Sequence, residues 1–212
     1  MNSTLSAFSA SDRQSTPAML KASRATVELL IRHGTSDLSI KDMAANAGIS
    51  ERTFYRYFPR KEDVVRPFFQ SGLCRIVANF NARPKDESIL DSLRAVWSDA
   101  WPLKDPDASA AFYRILESHD SYRAVRLQVV IDSEIWWAEA IALRLGIEPL
   151  SRQATFAGAA VITAFRMAWQ AFSLDRRLDP IETLMANFQI FSETLLTSPE
   201  VTVRTSGAAT GY

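Results

Sequence analysis

A chain of 212 residues and 23.7 kDa can bury a proper core without disulfide or metal staples. Apolar residues make up 47% and charged residues 23%, which excludes a disordered or collagen-like polymer. Twenty-four basic residues against twenty-four acidic ones leave no bulk charge, so a nucleic-acid or other charged partner would have to be met by a local surface.

Charge is not evenly spread. Residues 1–66 hold ten Lys/Arg against seven Asp/Glu, and residues 67–212 hold fourteen against seventeen. The single cysteine, Cys74, makes no internal disulfide framework, so a reducing, cytoplasmic setting is expected, with Cys74 a small buried residue. Met1 to Ser15 has neither a basic start nor an apolar centre; it reads as a flexible tail over 1–15, not a signal peptide.

A helix opens cleanly after the tail. Thr16 can cap it, Pro17 suits its first position, and Leu20, Val27, Leu30 and Ile31 share one face before Gly34. Ser39 and Asp42 resemble a capping box, followed by Ile40, Met43, Ala44 and Ala47 on one face and a stop at Gly48. Ser50 can cap a third helix that runs to Phe58, where Pro59 ends it. A longer helix opens near Arg60 or Lys61, and Pro67 should kink or split it. Further helical patterns span about 87–101, 107–118, 121–145, 150–174 and 181–196, and residues 198–212 read as a second flexible tail. The predicted class is all-α with about nine helices: a three-helix domain over 16–66 and a larger helical domain over 67–197.

One stretch of membrane length, Ala154 to Leu174, carries a single charge, Arg166. An arginine near mid-span costs about 2.5–3.5 kcal/mol to insert, and the Ala, Gly and Thr content suits close packing, so a buried helix and no membrane partner are expected.

The short third helix is the informative one. Stepping about 100° per residue, Phe54 and Phe58 fall together on one side, while Arg52 and Arg56 share another with Thr53 and Tyr57 beside them. Tyr55 lies at the opposite rim. The phenylalanines can anchor the helix, leaving two guanidinium forks, a hydroxyl and two phenols for a duplex: Arg to guanine or phosphate, Thr and Tyr to phosphate or a thymine methyl. The same arc also fits a solvated basic face. With a tight turn at Gly48 and small Ala44 and Ala47 on the preceding helix, the arrangement is that of a helix-turn-helix.

The run from Leu38 to Val65 resembles the DNA-binding signature of the TetR family of bacterial repressors. The matching pieces are Ser39, Ala44, Ala47-Gly48-Ile49-Ser50, Thr53-Phe54-Tyr55, Tyr57-Phe58 and Lys61-Glu62. By position, the resemblance implies that Tyr55, Tyr57, Lys61, Ser39 and Ser50 touch phosphates and that Arg52, Thr53 and Arg56 face base edges. Arg52 stands where many members have a small residue, and Arg60 where many have Ser or Asn, so the operator is not inferred from relatives. The resemblance further implies a pseudo-palindromic double-stranded DNA operator, a homodimer, and a second domain that binds a small-molecule effector.

Residues beyond Val65 are compatible with that expectation. All five Trp lie between positions 97 and 169. Trp97, Trp101, Trp136, Trp137 and Trp169, with Phe112, Tyr113, Phe165 and Met167, could line an apolar cavity or simply fill a core. Arg166 is a candidate for an anionic ligand group, or for an ion pair with Asp132 or Glu134. Ile181, Leu184, Met185, Phe188, Phe191 and Leu195 form an apolar stripe, and Ala157 to Ala160 with Ala164 permit close helix approach; together they suggest a dimer surface or an internal helix pair. His33, His119 and Cys74 form no ligand cluster, so neither metal nor cofactor is expected. The rival readings are a constitutive DNA-binding dimer without a ligand, and an enzyme acting on an apolar acid or ester; the sequence offers the latter no nucleophile–base pair or nucleotide loop.

Overall fold

Local hydrogen bonding sets where the first helices begin. In the computed structural model, which describes residues 15–100 and 106–196, the Thr16 hydroxyl accepts from the Met19 N–H at 3.2 Å and opens α1 (Pro17–His33). Ser39 caps α2 (Ile40–Asn46), accepting from the Asp42 N–H at 3.1 Å and donating to the Asp42 carboxylate at 2.6 Å. Ser50 does the same work for α3 (Glu51–Tyr57), accepting from the Thr53 N–H at 3.2 Å. A 3-10 turn (Lys61–Val65) leads into α4 (Arg66–Asn81), so Pro67 lies in the first turn of a new helix, where its missing N–H does no harm. The expected split is real.

The chain continues as α5 (Ile89–Ala100), α6 (Pro106–Glu117), α7 (Asp120–Asp132), α8 (Glu134–Leu145), α9 (Arg152–Leu174) and α10 (Pro180–Leu196). The described residues contain no strand, and the all-α expectation holds. The stretch 121–145, read as one helix, is two. Ser133 turns its buried hydroxyl onto the Val130 carbonyl at 2.6 Å, and its N–H is shared between Val129 and Val130. A serine that bonds its own preceding turn competes with helix propagation. Trp101 and the tails, apart from Ser15, lie outside the described residues.

Two cores result. The first gathers Val27, Leu30, Met43, Phe54 and Phe58 from the three N-terminal helices, and it continues into Phe112, Leu116, Tyr122 and Val125 of α6 and α7. The second is built on Trp97, Trp137, Phe80, Ile162, Leu184 and Phe188. Leu184 and Phe188 therefore face their own protomer's interior, as do Ile181 and Met185 in part; this described part of the α10 stripe is core, the internal helix pair that stood as the alternative to a dimer surface. Phe191 and Leu195 are not among the side chains described.

Arg144 of α8 ties the α4–α5 loop to the second core. Its guanidinium donates to the Arg83 carbonyl at 3.2 Å and to the Ser92 hydroxyl, and lies 5.4 Å over the Phe80 ring. Glu87 of that loop is held by Arg83 first and by the Ser92 hydroxyl second, which draws its carboxyl down to about 2.

Helices α8 and α9 form an antiparallel pair joined by a short loop, with Ala138, Ala142 and Ala154 packed at the seam. Gly158 is the point of closest approach. A Cβ built there would lie 2.4 Å from the Glu134 carbonyl oxygen and 2.7 Å from the Ala138 nitrogen, both backbone atoms that cannot rotate away. The small residues of α9 thus serve this internal pair. Gly158→Ala is expected to destabilise the fold by about 1–3 kcal/mol, the usual cost of overpacking, read as a lowered denaturation midpoint with an unchanged slope.

Candidate nucleic-acid interface and internal cavity

The third helix presents the face its spacing predicts. Phe54 is 0% exposed and Phe58 1%, their rings meeting edge-on with centroids 5.1 Å apart. Arg52, Tyr55 and Arg56 are exposed, and Tyr57 and Thr53 are half-buried. The Arg56 guanidinium sits 5.3 Å from the Tyr57 ring centroid, and the Tyr57 ring meets Phe58 edge-on at 6.0 Å. The basic rim is thus partly ordered by stacking on a residue that is itself packed against the core. Neither Arg52 nor Arg56 has an ion-pair partner among the described residues, so both forks remain available to an anion.

Other expected contacts are more engaged. The Ser39 and Ser50 hydroxyls cap their helices, and Ser50 Oγ lies 3.0 Å from Thr53 Oγ1. Lys61 Nζ donates to the Ser36 carbonyl at 3.2 Å and to the Leu38 carbonyl at 3.4 Å. Those two bonds fix the ammonium beside the start of α2 and leave it one proton to donate. Arg60 is turned back: its guanidinium and backbone N–H clasp Asp63, with Nη2 to Oδ1 at 2.8 Å. The departure noted at position 60 is thus an intramolecular clasp.

The turn between α2 and α3 depends on one backbone conformation. Gly48 has φ of 67°, and the N–H groups of Gly48 and Ile49 return to the carbonyls of Ala45 and Ala44 at 3.1 and 3.0 Å. The left-handed region favours glycine. The space around it is open, so the cost of a side chain there is conformational and not steric.

A cavity of about 210 Å³ opens beneath this domain, between α1, α4, α5, α7 and α9. Trp97, Phe165, Arg166 and Trp169 line it as anticipated, and Phe165 stacks on Trp97 with centroids 4.0 Å apart. Five expected residues lie elsewhere, Tyr113 buried with its ring 5.6 Å from that of Trp169 and Met167 exposed at the surface. Phe112 stacks on Phe69 at 5.7 Å within the first core. Trp137 is fully buried behind Trp97, at 5.9 Å, and beside Phe80, at 5.5 Å. Trp136 packs against the outside of the second core. Tryptophan content locates a domain but does not say which helix face each ring occupies.

Sequence reasoning missed the contributions of α1, α4 and α7: Arg24, Phe68, Phe69, Arg75 and Arg126. The criterion that singled out Arg166, a lone cation in an apolar helical run, also picks out Arg75 but not Arg126, which has Arg123 one turn before it. Nothing local marks Arg24, which reaches across to the Ser71 hydroxyl on α4 at 3.5 Å.

An anchored short helix behind a glycine turn defines a helix-turn-helix unit. Residues 23–66 match the model described as bacterial regulatory proteins of the tetR family, so this stretch carries a DNA-binding domain of the TetR type. It is 26% identical over 134 residues to "Putative mycofactocin biosynthesis transcriptional regulator MftR" of Mycobacterium tuberculosis, covering 63% of this chain and 61% of that one. It is 24% identical over 118 residues to "Fatty acid metabolism regulator protein" of Bacillus subtilis, covering 55% and 61%. The chain therefore spans about 61% of the length of each of these curated relatives. A crystal structure of "the putative transcriptional regulator from Pseudomonas aeruginosa PAO1" shares the fold with a TM-score of 0.53 at 14% identity, over 88% of this chain and 95% of that one. No helix among the described residues is long and apolar enough to cross a membrane.

Gly48→Ala is expected to cost about 1–2 kcal/mol of stability through its backbone conformation alone. Chemical denaturation should show this loss, whereas Lys41→Ala, at an exposed position of α2, should stay within about 0.5 kcal/mol of the parent.

Proposed function

We propose that the chain is a homodimeric repressor that reads a pseudo-palindromic operator with α3 and is released by a small, largely apolar effector. The observation that supports this most directly is the exposed guanidinium-and-phenol face of α3, fixed from behind by Phe54 and Phe58. Two copies of that helix, set about 34–36 Å apart, suit successive major grooves. Arg52, Thr53 and Arg56 then meet base edges; Tyr55, Tyr57, Lys61, Ser39 and Ser50 hold the backbone.

The dimer surface falls on the outward stripe of α9. Phe156, Ala160, Thr163, Met167, Gln170 and Leu174 recur at alternating steps of four and three, and Met167 and Leu174 are 49% and 81% exposed. Ile190 of α10 is exposed as well. An apolar ridge of this kind on the longest helix suits a two-fold contact in which each chain offers the same residues. Effector release fits a cavity lined by both domains, because a ligand that prefers one arrangement of α1 against α4 shifts the population toward it. Pro67, in the first turn of α4, marks the joint at which that change would bend.

Two experiments test the reading. Fragments retained by the purified protein supply the operator; Tyr57→Ala and Lys61→Ala should then weaken binding to every duplex and flatten its salt dependence. Arg56→Ala should change base preference at one position by about 1–3 kcal/mol. Variants that bound like the parent across a salt titration would remove the assignment. Separately, Met167→Glu should shift the molecular mass in light scattering from dimer towards monomer, with the helical spectrum preserved and operator affinity reduced.

A further inference from the structure

The cavity's charge is unbalanced. Arg24, Arg75, Arg126 and Arg166 all line it, and among the described residues no carboxylate does. Arg126 is buried and carries its counter-charge elsewhere, with Nη2 2.5 Å from Glu117. Arg166 is half-buried and has no ion-pair partner among the described residues; Asp132, one acid that might have met it, faces Arg66 at 3.6 Å. A cation drawn out of water without a counter-ion is costly, and an anion delivered to it is strongly held.

Two buried donors point the same way. The Trp97 Nε1–H and the Arg126 Nε–H have no acceptor among the described residues, and both side chains line this cavity. Buried donors are nearly always satisfied, and one left unpaired costs about 1–3 kcal/mol. The remaining wall, with Phe68, Phe69, Phe165 and Trp169, is apolar and aromatic.

From this pairing we propose that the effector is a lipophilic carboxylate, its hydrocarbon part lying among the aromatic rings and its head group held by Arg166 with the free donors of Arg126 and Trp97. The assignment rests on the ligand-responsive reading above and deepens it. A carboxylate matches the planar fork of a guanidinium and has lone pairs to spare for both orphaned donors. A neutral ligand of the same shape leaves Arg166 without its counter-charge. An amine adds a fifth positive charge to four.

The test uses the full chain and three probes of one length: decanoate, 1-decanol and decylamine. Binding is followed by tryptophan fluorescence, since Trp97 and Trp169 line the cavity. Decanoate should bind at least about tenfold more tightly than decanol, and decylamine more weakly than either. Arg166→Gln should weaken decanoate about tenfold while leaving decanol within about twofold. Because Arg166 has no ion-pair partner among the described residues to lose, this variant should melt no lower than the parent, which keeps a folding defect from mimicking a binding defect. Equal affinity for decanoate and decanol, no binding of any probe, or unchanged decanoate affinity in the variant would each overturn the assignment. Selective decanoate binding that leaves retained operator fragments in place supports the carboxylate site and counts against release by ligand, so the two failures are distinguishable.

Discussion

One buried hydroxyl sets the relation between the two domains. Ser23 of α1 donates to the Val64 carbonyl at 2.5 Å and accepts from the Phe68 N–H at 3.1 Å. Helix α4 begins between those two groups, and its early N–H groups lack intrahelical partners. Pro67 has no N–H to satisfy, and Ser23 satisfies the next one. The helix is thereby registered on α1 by a side chain that is 0% exposed. Arg24 follows Ser23 directly and lines the cavity, as do Phe68, Phe69 and Arg75 of α4. The shape of the cavity and the seating of the reading domain are consequently one geometric problem.

A second tie reinforces the first. His119, between α6 and α7, lies 2.7 Å from the Ser36 hydroxyl and 3.2 Å from the Asp37 carboxylate, on the loop that leads to α2. Lys61 donates to the Ser36 and Leu38 carbonyls in the same loop. The first core runs through the same region, because Phe112, Leu116 and Tyr122 pack with Met43 and Phe54. The DNA-binding unit is thus packed directly against α6 and α7.

What was legible in the sequence was what local chemistry decides. Thr16, Ser39 and Ser50 each cap a helix within three residues, and Phe54 and Phe58 sort to one side at helical spacing, so the boundaries and face of the DNA-binding unit followed from short stretches. The break at Ser133 did not, because a serine in mid-helix can face solvent or bond its own turn, and packing makes the choice. The α10 stripe stayed open between two readings for a related reason. Apolar periodicity marks a buried face but says nothing about which partner buries it, and here Leu184 and Phe188 meet α5 and α9 of the same chain. The cavity was the least legible feature. It joins Arg24 to Arg166 across most of the chain, and adjacent Trp136 and Trp137 share a sequence context while occupying different environments.

The distribution of imperfection in the packing carries its own information. Where α8 meets α9 the chain leaves no room for even a methyl group at Gly158. Around the cavity it tolerates an unpaired guanidinium and donors without acceptors. Unpaired buried donors also occur at Tyr122, Trp137 and Arg144, so that feature alone does not mark a site. In the space bounded by α1 and α4, two of these donors, Trp97 and Arg126, coincide with open volume, aromatic walls and an arginine without an ion-pair partner among the described residues. A region that is locally under-satisfied yet tightly framed gains most from an occupant that completes it, and the frame that surrounds this one includes the helix that seats the reading domain.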